Sequence, residues 1–471
     1  MNLNRCITRD RFRALRRIAA LSCIAALSAA CFGAKVFAES PQVAAQPEAG
    51  DVPVLTLDRA VAIALANNRN VRNAALNVDV SRQQLLVVKT KRLPSFSAYV
   101  FGGETLTNIT YTVKEGQFGT YPATGPIPAE NTPISTPGTP TAFVIVQATQ
   151  PLLSLYKVNL NLHGQELAIE QAEEQARGAR QSISANVHQA YYGIVQAEQA
   201  VEATKASINQ YQELDRITKE YLAEKTALKS DLLQVEAKLA QENLTLMQAE
   251  DKLQSAEETL NELMARDLDT PFRTEPVPAP SLEEENLQAA QEQALLNHPE
   301  VREAGLTVKQ AEIQRRLAKA QYLPDFNLAF HYVSPFGIYF LPSNIAAVGF
   351  DFKWDPFDWG GRSHTLQQKT IVVEQSRQQL DEVKAQVLLN VDNQFRSLRE
   401  ARAAVAVAQA NQQAATEKLR EVTAQYGQKT ALLRDVLQEQ AASETANAQY
   451  VQAEAAFWTA KANFEYALGE E

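Results

Sequence analysis

Five histidines, three cysteines and scattered acid pairs are the residues through which this chain could do chemistry. His163, His188, His298, His331 and His364 stand far apart, and none pairs with a histidine or acid in a metal-binding spacing such as HExxH. Cys6, Cys23 and Cys31 all fall within a segment that reads as a signal peptide, residues 1–38. There Arg5, Arg9, Arg11, Arg13, Arg16 and Arg17 precede an apolar run at 18–32, and Val36-Phe37-Ala38 fits the small-x-small cleavage rule. Cleavage after Ala38 removes every cysteine, and with them disulfides, thiolate catalysis and Cys-ligated metals. A second reading stands beside it: Leu27-Ser28-Ala29-Ala30-Cys31 resembles a lipoprotein box with its leucine one position early, so Cys31 is a candidate lipid anchor. Gly360-Gly361 lacks the third glycine and the lysine-serine pair of a phosphate loop, and no serine sits in a nucleophile elbow. Acid pairs such as Asp381-Glu382 lie on helical tracts, where a solvated face explains them. No enzymatic activity, metal or cofactor is expected.

The 471 residues are 45% hydrophobic and 21% charged, the balance of a folded chain. Forty-five basic against 55 acidic residues give a formal charge of −10, which excludes a nucleic-acid partner on bulk electrostatics. Beyond the leader no stretch of 18 apolar residues occurs, so no helix can span a membrane. A β-barrel span stays open.

The chain repeats itself. Ala64-Leu65-Ala66-Asn67-Asn68-Arg69-Asn70-Val71 matches Ala294-Leu295-Leu296-Asn297-His298-Pro299-Glu300-Val301, 230 positions on, and Leu93-Pro94-Ser95-Phe96 matches Leu323-Pro324-Asp325-Phe326 at the same offset. Lys225-Thr226-Ala227-Leu228 matches Lys429-Thr430-Ala431-Leu432 at an offset of 204. The 26-residue difference is placed in the Thr-, Pro- and Gly-rich stretch 105–140, read as a long loop. The organisation expected is a first repeat at 39–270, a Pro-rich linker at 271–286 and a second repeat at 287–471.

Each repeat opens with a helix, 57–91 or 287–321, ended by Pro94 or Pro324. Two strand-like runs follow. In the second repeat Phe326, Leu328, Phe330 and Tyr332 share one face and Asn327 and His331 the other, and the returning run alternates likewise. The first repeat, 96–102 and 142–150, is blurrier. Two proline-free tracts rich in helix formers then run over 156–269 and 363–469, with breaks near 223–231 and 426–435. A helix over 156–222 would be roughly 100 Å long, and its shorter partners would stack end to end along it. Four strands cannot close a membrane barrel, since the smallest have about eight. Oligomerisation follows if these strands span a membrane, with Phe101, Tyr332, Trp354, Phe357 and Trp359 as interfacial aromatics. The competing reading is a periplasmic coiled-coil protein, such as an adaptor, whose strands form a soluble domain.

Leu-Pro-x-Phe at both helix-to-strand joints, Gln150-Pro151-Leu152-Leu153 and Trp354-Asp355-Pro356-Phe357-Asp358-Trp359-Gly360-Gly361-Arg362 bring the chain to a known family. Over essentially its whole mature length it resembles the TolC-like outer membrane efflux proteins, whose signature is P-x-F-D-x-G-G-R. The resemblance implies a mainly α fold with a membrane β-barrel. Each chain would give a duplicated unit of long helical hairpins plus two strands. Three chains would form a 12-stranded barrel in outer-membrane lipid and a 12-helix periplasmic tunnel. It implies a homotrimeric passive channel, for efflux or type I secretion, with a periplasmic adaptor and an inner-membrane pump as partners. A metal-ion efflux channel of the same fold is a further possibility. Family tips read roughly V-G-x-x-x-x-x-D-V, so Lys225, Thr226, Ala227, Leu228 and Lys429, Thr430, Ala431, Leu432 are the implied adaptor contacts, with lysine in place of glycine. Asp435 matches an acid of the closed aperture, and the second acid of that ring is Gln438 here. Asp231 and Tyr426 match two members of the gate network; its arginine matches Ala431, leaving Lys429 and Arg434 as candidates to replace it. The plainer role of Asp231 and Asp435 is to cap the returning helices.

Overall fold

Two long helices carry the structure. The computed structural model describes residues 53–104, 106–136, 140–275, 286–337 and 342–470, all within one unit, Val52–Glu471. The signal segment, Cys31 and most of the Pro-rich linker lie outside the described residues. In chain order the elements are β1 (Val54–Leu55), α1 (Leu57–Asn67), α2 (Arg69–Thr90), β2 (Ser95–Glu104), β3 (Ile109–Val113), β4 (Thr120–Tyr121), β5 (Gly125–Pro126), β6 (Thr132–Thr136), β7 (Pro140–Pro151), α3 (Leu155–Ala223), α4 (Lys229–Leu263), β8 (Arg273–Thr274), α5 (Leu287–Asn297), α6 (Pro299–Ala320), β9 (Asp325–Phe336), β10 (Ile345–Lys353), α7 (Gly361–Gly427) and α8 (Leu433–Leu468). Helices α3 and α7 have 69 and 67 residues, roughly 100 Å each.

The short helices stack along the long ones. On α3, α2 and α6 flank the strand-proximal half, where Arg82 meets Glu173 at 2.9 Å and Gln171 meets Glu303 at 3.1 Å. Helices α4 and α8 flank its other half, where Tyr211 and Leu214 pack with Val235 and Val436. Helix α7 packs on α6 and α8. The lateral order is therefore α2–α3–α6–α7 above and α4–α3–α8–α7 below.

The leading helices differ from expectation, because each is cut in two. In the first repeat Asn68 ends α1 through its N–H to the Ala64 carbonyl, 2.8 Å, and starts α2 by accepting the Asn70 N–H on Oδ1, 2.8 Å. Its Nδ2 donates to the Leu263 carbonyl at 2.8 Å. In the second repeat Pro299, which has no N–H to give, takes the first position of α6 behind His298. The described part of the stretch, 106–136, also differs: it is a β-ribbon, with β3 paired to β6 and β4 to β5, rather than a plain loop.

The four long strands form one antiparallel sheet, ordered β2–β7–β9–β10 as in the chain. The register lines up Phe96, Ala148, Phe330 and Val348 across all four strands, then Ala98, Val146, Tyr332 and Ala346. Ser97, Gln147, His331 and Ala347 form a row on the other face. That face turns apolar toward the ribbon, where Tyr99 opposes Ile145 and Phe101 opposes Phe143, so period two was blurred in the first repeat. Phe96 is 77% exposed and Val348 73%, so this unit does not cover its own apolar face. Among the described residues nothing pairs with the outer edges of β2 and β10.

A waist holds the halves together. The Tyr191 hydroxyl donates to the Leu55 carbonyl at 2.9 Å and accepts the Glu275 N–H at 2.9 Å, clamping the β1–β8 pair. Gln181 Nε2 donates to the Gly469 carbonyl at 2.5 Å. Gly469 has φ +82°, and a Cβ there would sit 2.9 Å from the His298 Cα, so only glycine fits.

His298 is 6% exposed and its Nδ1 has no hydrogen-bond partner. Burial pushes its imidazole below the ordinary 6.5, against the opposing pull of Glu300. The folded state therefore prefers the neutral ring. Its contribution is whole above pH 6.5 and is lost as pH falls through the lowered value. His298→Asn is expected to reproduce the Asn68 cap by accepting the Glu300 N–H, gaining about 1 kcal/mol. Thermal midpoints in detergent at pH 7.5 and 5 check this. The variant should lose less stability on acidification, with His188, also pushed down by burial, keeping part of the slope. An equal slope would refute the assignment.

Candidate functional site at the helix tips

The turn between α3 and α4 and the turn between α7 and α8 are near copies. Lys225 and Lys429 have φ +59° and +61°, the left-handed conformation that glycine adopts without strain. Lysine thus preserves the turn at a cost of order 1 kcal/mol each. In the first turn the Thr226 N–H and hydroxyl both donate to the Tyr221 carbonyl, 2.8 and 3.1 Å. In the second, Thr430 does the same to the Gln425 carbonyl, 2.9 Å for each bond.

The returning helices are capped by their acids. Asp231 Oδ2 accepts the Leu228 N–H at 3.1 Å, and Asp435 Oδ2 accepts the Leu432 N–H at 3.2 Å. Leucine has no side-chain acceptor, so only this half of a capping box forms. Leu228 and Leu432 are instead 68% and 59% exposed at the extreme of the unit. Lys225, Thr226, Lys429 and Thr430 are exposed beside them, with Ala227 and Ala431 half-buried.

Tyr426 is buried, 6% exposed, among Tyr211, Leu214, Val422, Leu433 and Val436. Its hydroxyl lies 3.5 Å from Thr218 Oγ1. Burial pushes the phenol up, the Thr218 bond lowers it, and Tyr221 and Asp231 add to the rise. Among the described residues no hydrogen bond joins Asp231 to Tyr426. Gln438 is exposed on α8, one turn beyond Asp435. Of the two candidate cations, Arg434 pairs with its neighbour Asp435 at 3.3 Å. Lys429 reaches the other hairpin: Nζ is 2.7 Å from Glu224 Oε2 and 4.9 Å from the Tyr221 ring centroid. The Glu224 carboxylate pushes the Lys429 ammonium up.

Tyr221, Thr218 and Glu224 were missed from sequence. Tyr221 donates to the Gly427 carbonyl at 3.1 Å and to the Tyr426 carbonyl at 3.3 Å. The repeat carries a signal at these positions: Tyr221 and Glu224 are among the places where the two copies differ, with Gln425 and Gln428 opposite.

At the other end, the Phe357-Asp358-Trp359-Gly360-Gly361-Arg362 joint has a physical account. Trp359 and Gly360 take φ +57° and +88° to turn the chain into α7. Asp358 Oδ2 accepts the Arg362 N–H at 2.7 Å and its Nε–H at 3.0 Å. These bonds hold the Asp358 carboxyl below its usual range. Arg362 also donates to the Gln321 and Asp355 carbonyls, binding α6, β10 and α7 at one point. The first repeat has a different tie: Lys157 meets Asp325 at 2.7 Å, and the Leu152 and Leu153 N–H groups donate to the Phe326 carbonyl.

Among the described residues no cluster of three His, Cys, Asp or Glu could hold a metal, and no helix is long and apolar enough to cross a membrane. No curated protein sequence matches the chain. Solved structures do. The chain is similar to the CmeC outer membrane channel of Campylobacter jejuni, at 17% identity and TM-score 0.71, covering 88% of this chain and 85% of that one. It is similar to CusC at 15% identity and TM-score 0.74, covering 92% and 96%. It is similar to the outer membrane protein VceC of Vibrio cholerae at 16% identity and TM-score 0.69, covering 88% and 96%. These likenesses establish the fold. The family model described as "Outer membrane efflux protein" matches residues 60–266 and 290–470, both repeats and both tips. The chain belongs to the outer membrane efflux protein family.

Proposed function

We propose that three copies of this outer membrane protein close into a passive conduit from periplasm to exterior, gated at the helix tips. One observation carries the reading. The sheet is an open meander whose edge strands, β2 and β10, run antiparallel, and the helices keep the same lateral order beneath them. One flank is β2, α2 and α4; the other is β10 and α7. A head-to-tail ring brings the first flank of one copy against the second flank of the next along its whole length. Three copies give 12 strands. The row Phe96, Ala148, Phe330, Val348 then meets outer-membrane lipid, and the row Ser97, Gln147, His331 lines the lumen. Leu76, Val80, Leu86 and Val87 on α2, and Ile371, Leu389 and Val407 on α7, would be buried between copies.

In this reading the repeats at 39–270 and 287–471 each supply one hairpin to a 12-helix periplasmic tunnel. The exposed turns Lys225–Leu228 and Lys429–Leu432 meet a periplasmic adaptor, and an inner-membrane pump supplies energy for efflux or type I secretion. Asp231, Asp435, Tyr426 and Gln438 form the aperture. Carboxylates repeated around a narrow axis attract cations and focus the field. A coiled-coil adaptor is not favoured, since an uncovered apolar sheet face with free edges has no place in a soluble domain.

Protein extracted in mild detergent from the outer-membrane fraction is expected to have the native mass of three chains; a soluble monomer would sink the proposal. The aperture is tested separately. Asp231→Asn with Asp435→Asn keeps an oxygen to accept the Leu228 and Leu432 N–H groups but removes the charge. Thermal stability is expected to change by less than about 1 kcal/mol, while cation preference and block by multivalent cations fall in planar bilayers. Unchanged selectivity and block would leave the two acids as caps alone.

A further inference from the structure

Beneath the sheet the charge of the chain reverses. The 471 residues carry a formal charge of −10, yet the helix ends that meet the four long strands are basic. Helix α2 runs out into Lys89, Lys91 and Arg92, and α6 closes on Arg315, Arg316 and Lys319. Helix α3 opens with Lys157, and α7 with Arg362 and Lys369. The stretches 80–92, 155–165, 313–323 and 361–373 contain no acid. Each is roughly 16 Å or more of chain at 1.5 Å rise per residue.

Local structure accounts for part of this collar. A cation at the C-terminal ends of α2 and α6 complements the helix dipole, but at the N-terminal ends of α3 and α7 it opposes it. There Lys157 is held by Asp325 at 2.7 Å and Arg362 by Asp358 at 3.0 Å. Of the acids at this level, Asp325, Asp351, Asp355 and Asp358, two are thus already engaged. Lys89, Lys91, Arg316 and Lys319 are exposed, and none has an ion pair among the described residues. Assembly does not neutralise them. In the proposed ring the end of α2 meets the start of α7 in the next copy, which is the acid-free stretch 361–373. The excess charge therefore calls for anions from outside the protein.

The neighbours of the collar point to which anions. Passing down from the strands, exposed Phe96 and Phe352 come first, then exposed Leu93, Tyr322, Trp354, Phe357 and Trp359, and then the cations. Tails, interface and phosphates follow in the same order through a lipid monolayer, with aromatic rings at the interface and long basic side chains reaching the head groups. We propose that the collar binds the phosphates of anionic phospholipids in the periplasmic leaflet of the outer membrane. This rests on the proposed placement of the sheet in lipid and goes beyond it. A barrel requires apolar contact with tails alone, whereas these lysines and arginines select the charge of the head group. Clusters of about four to eight basic residues beside a membrane segment attract anionic lipids in this way.

The test titrates phosphatidylglycerol and phosphatidylethanolamine onto the delipidated full-length protein in mild detergent, with native mass measured first. Failure to form the trimer sinks the ring and this proposal with it; a trimer without lipid preference sinks this proposal alone. The wild-type trimer is expected to bind phosphatidylglycerol about tenfold more tightly at low salt. The preference should vanish near 1 M salt, where screening acts over about 3 Å. Lys89→Gln, Lys91→Gln, Arg316→Gln and Lys319→Gln together should bind the two lipids alike. If that set does not assemble, Lys89→Gln with Lys319→Gln should still lower the preference. Removing as many cations from the tipward half, by Lys205→Gln, Lys238→Gln, Lys252→Gln and Lys418→Gln, should leave it intact. Millimolar inorganic phosphate, which has no tails, should not abolish it; full competition would mean a site for free anions and overturn the assignment. Two further outcomes would also overturn it. A collar variant that keeps its lipid preference but changes ion selectivity in planar bilayers would place the cations in the lumen. One that keeps the preference but no longer binds isolated cell-wall sacculi would assign them to the peptidoglycan.

Discussion

The constraint on which the structure turns is the unpaired backbone along β2 and β10. In hydrocarbon every unsatisfied N–H and C=O costs several kcal/mol, so a four-stranded sheet with two free edges cannot exist alone there. With the sheet placed in lipid as proposed above, this single requirement makes the chain an incomplete object. It fixes the strand direction at each edge, and through the joints at Pro151 and Arg362 it fixes which helix stands under which strand. The lateral order of the helices is the order of the strands carried about 100 Å further.

The helices meet that demand with local devices. Two helices of about 100 Å give stiffness, but their partners must be shorter because the chain has to cross from one repeat to the next. The breaks at Asn68 and His298, the clamp made by Tyr191 and the glycine at 469 all lie at this crossing. They hold the waist together. At the tips the left-handed Lys225 and Lys429 hold the turns in shape, and Lys429 also reaches Glu224 of the other hairpin.

Much of this was legible in the sequence. Proline-free tracts of helix formers gave the long helices to within a few residues, and period two gave β9 and β10. The duplicated Leu-Pro-x-Phe and Lys-Thr-Ala-Leu set both joints and both turns. The breaks inside the leading helices were not seen, because an asparagine inside a helical pattern is ambiguous until its amide finds the Leu263 carbonyl. The ribbon at 106–136 hid behind its Pro, Gly and Thr content, which reads as loop whether or not the backbone pairs. At the tip, the family resemblance and the capping position pointed to Asp231 and Asp435. The bridging pair Glu224–Lys429 required knowing that the end of α3 faces the end of α7, a fact of packing rather than of spacing.

The free edges also have a genetic side. In the proposed ring a subunit borrows both of its neighbours to satisfy its backbone and shares its fate with them, so that one faulty copy of three would spoil the work of two sound ones. A cell making equal amounts of sound and defective chains that still assemble would keep only about one eighth of its rings wholly sound. Lesions at the tips, which leave β2 and β10 able to pair, should therefore behave as dominant. Lesions in the strands that prevent pairing should be recessive, because the damaged chain never enters a ring.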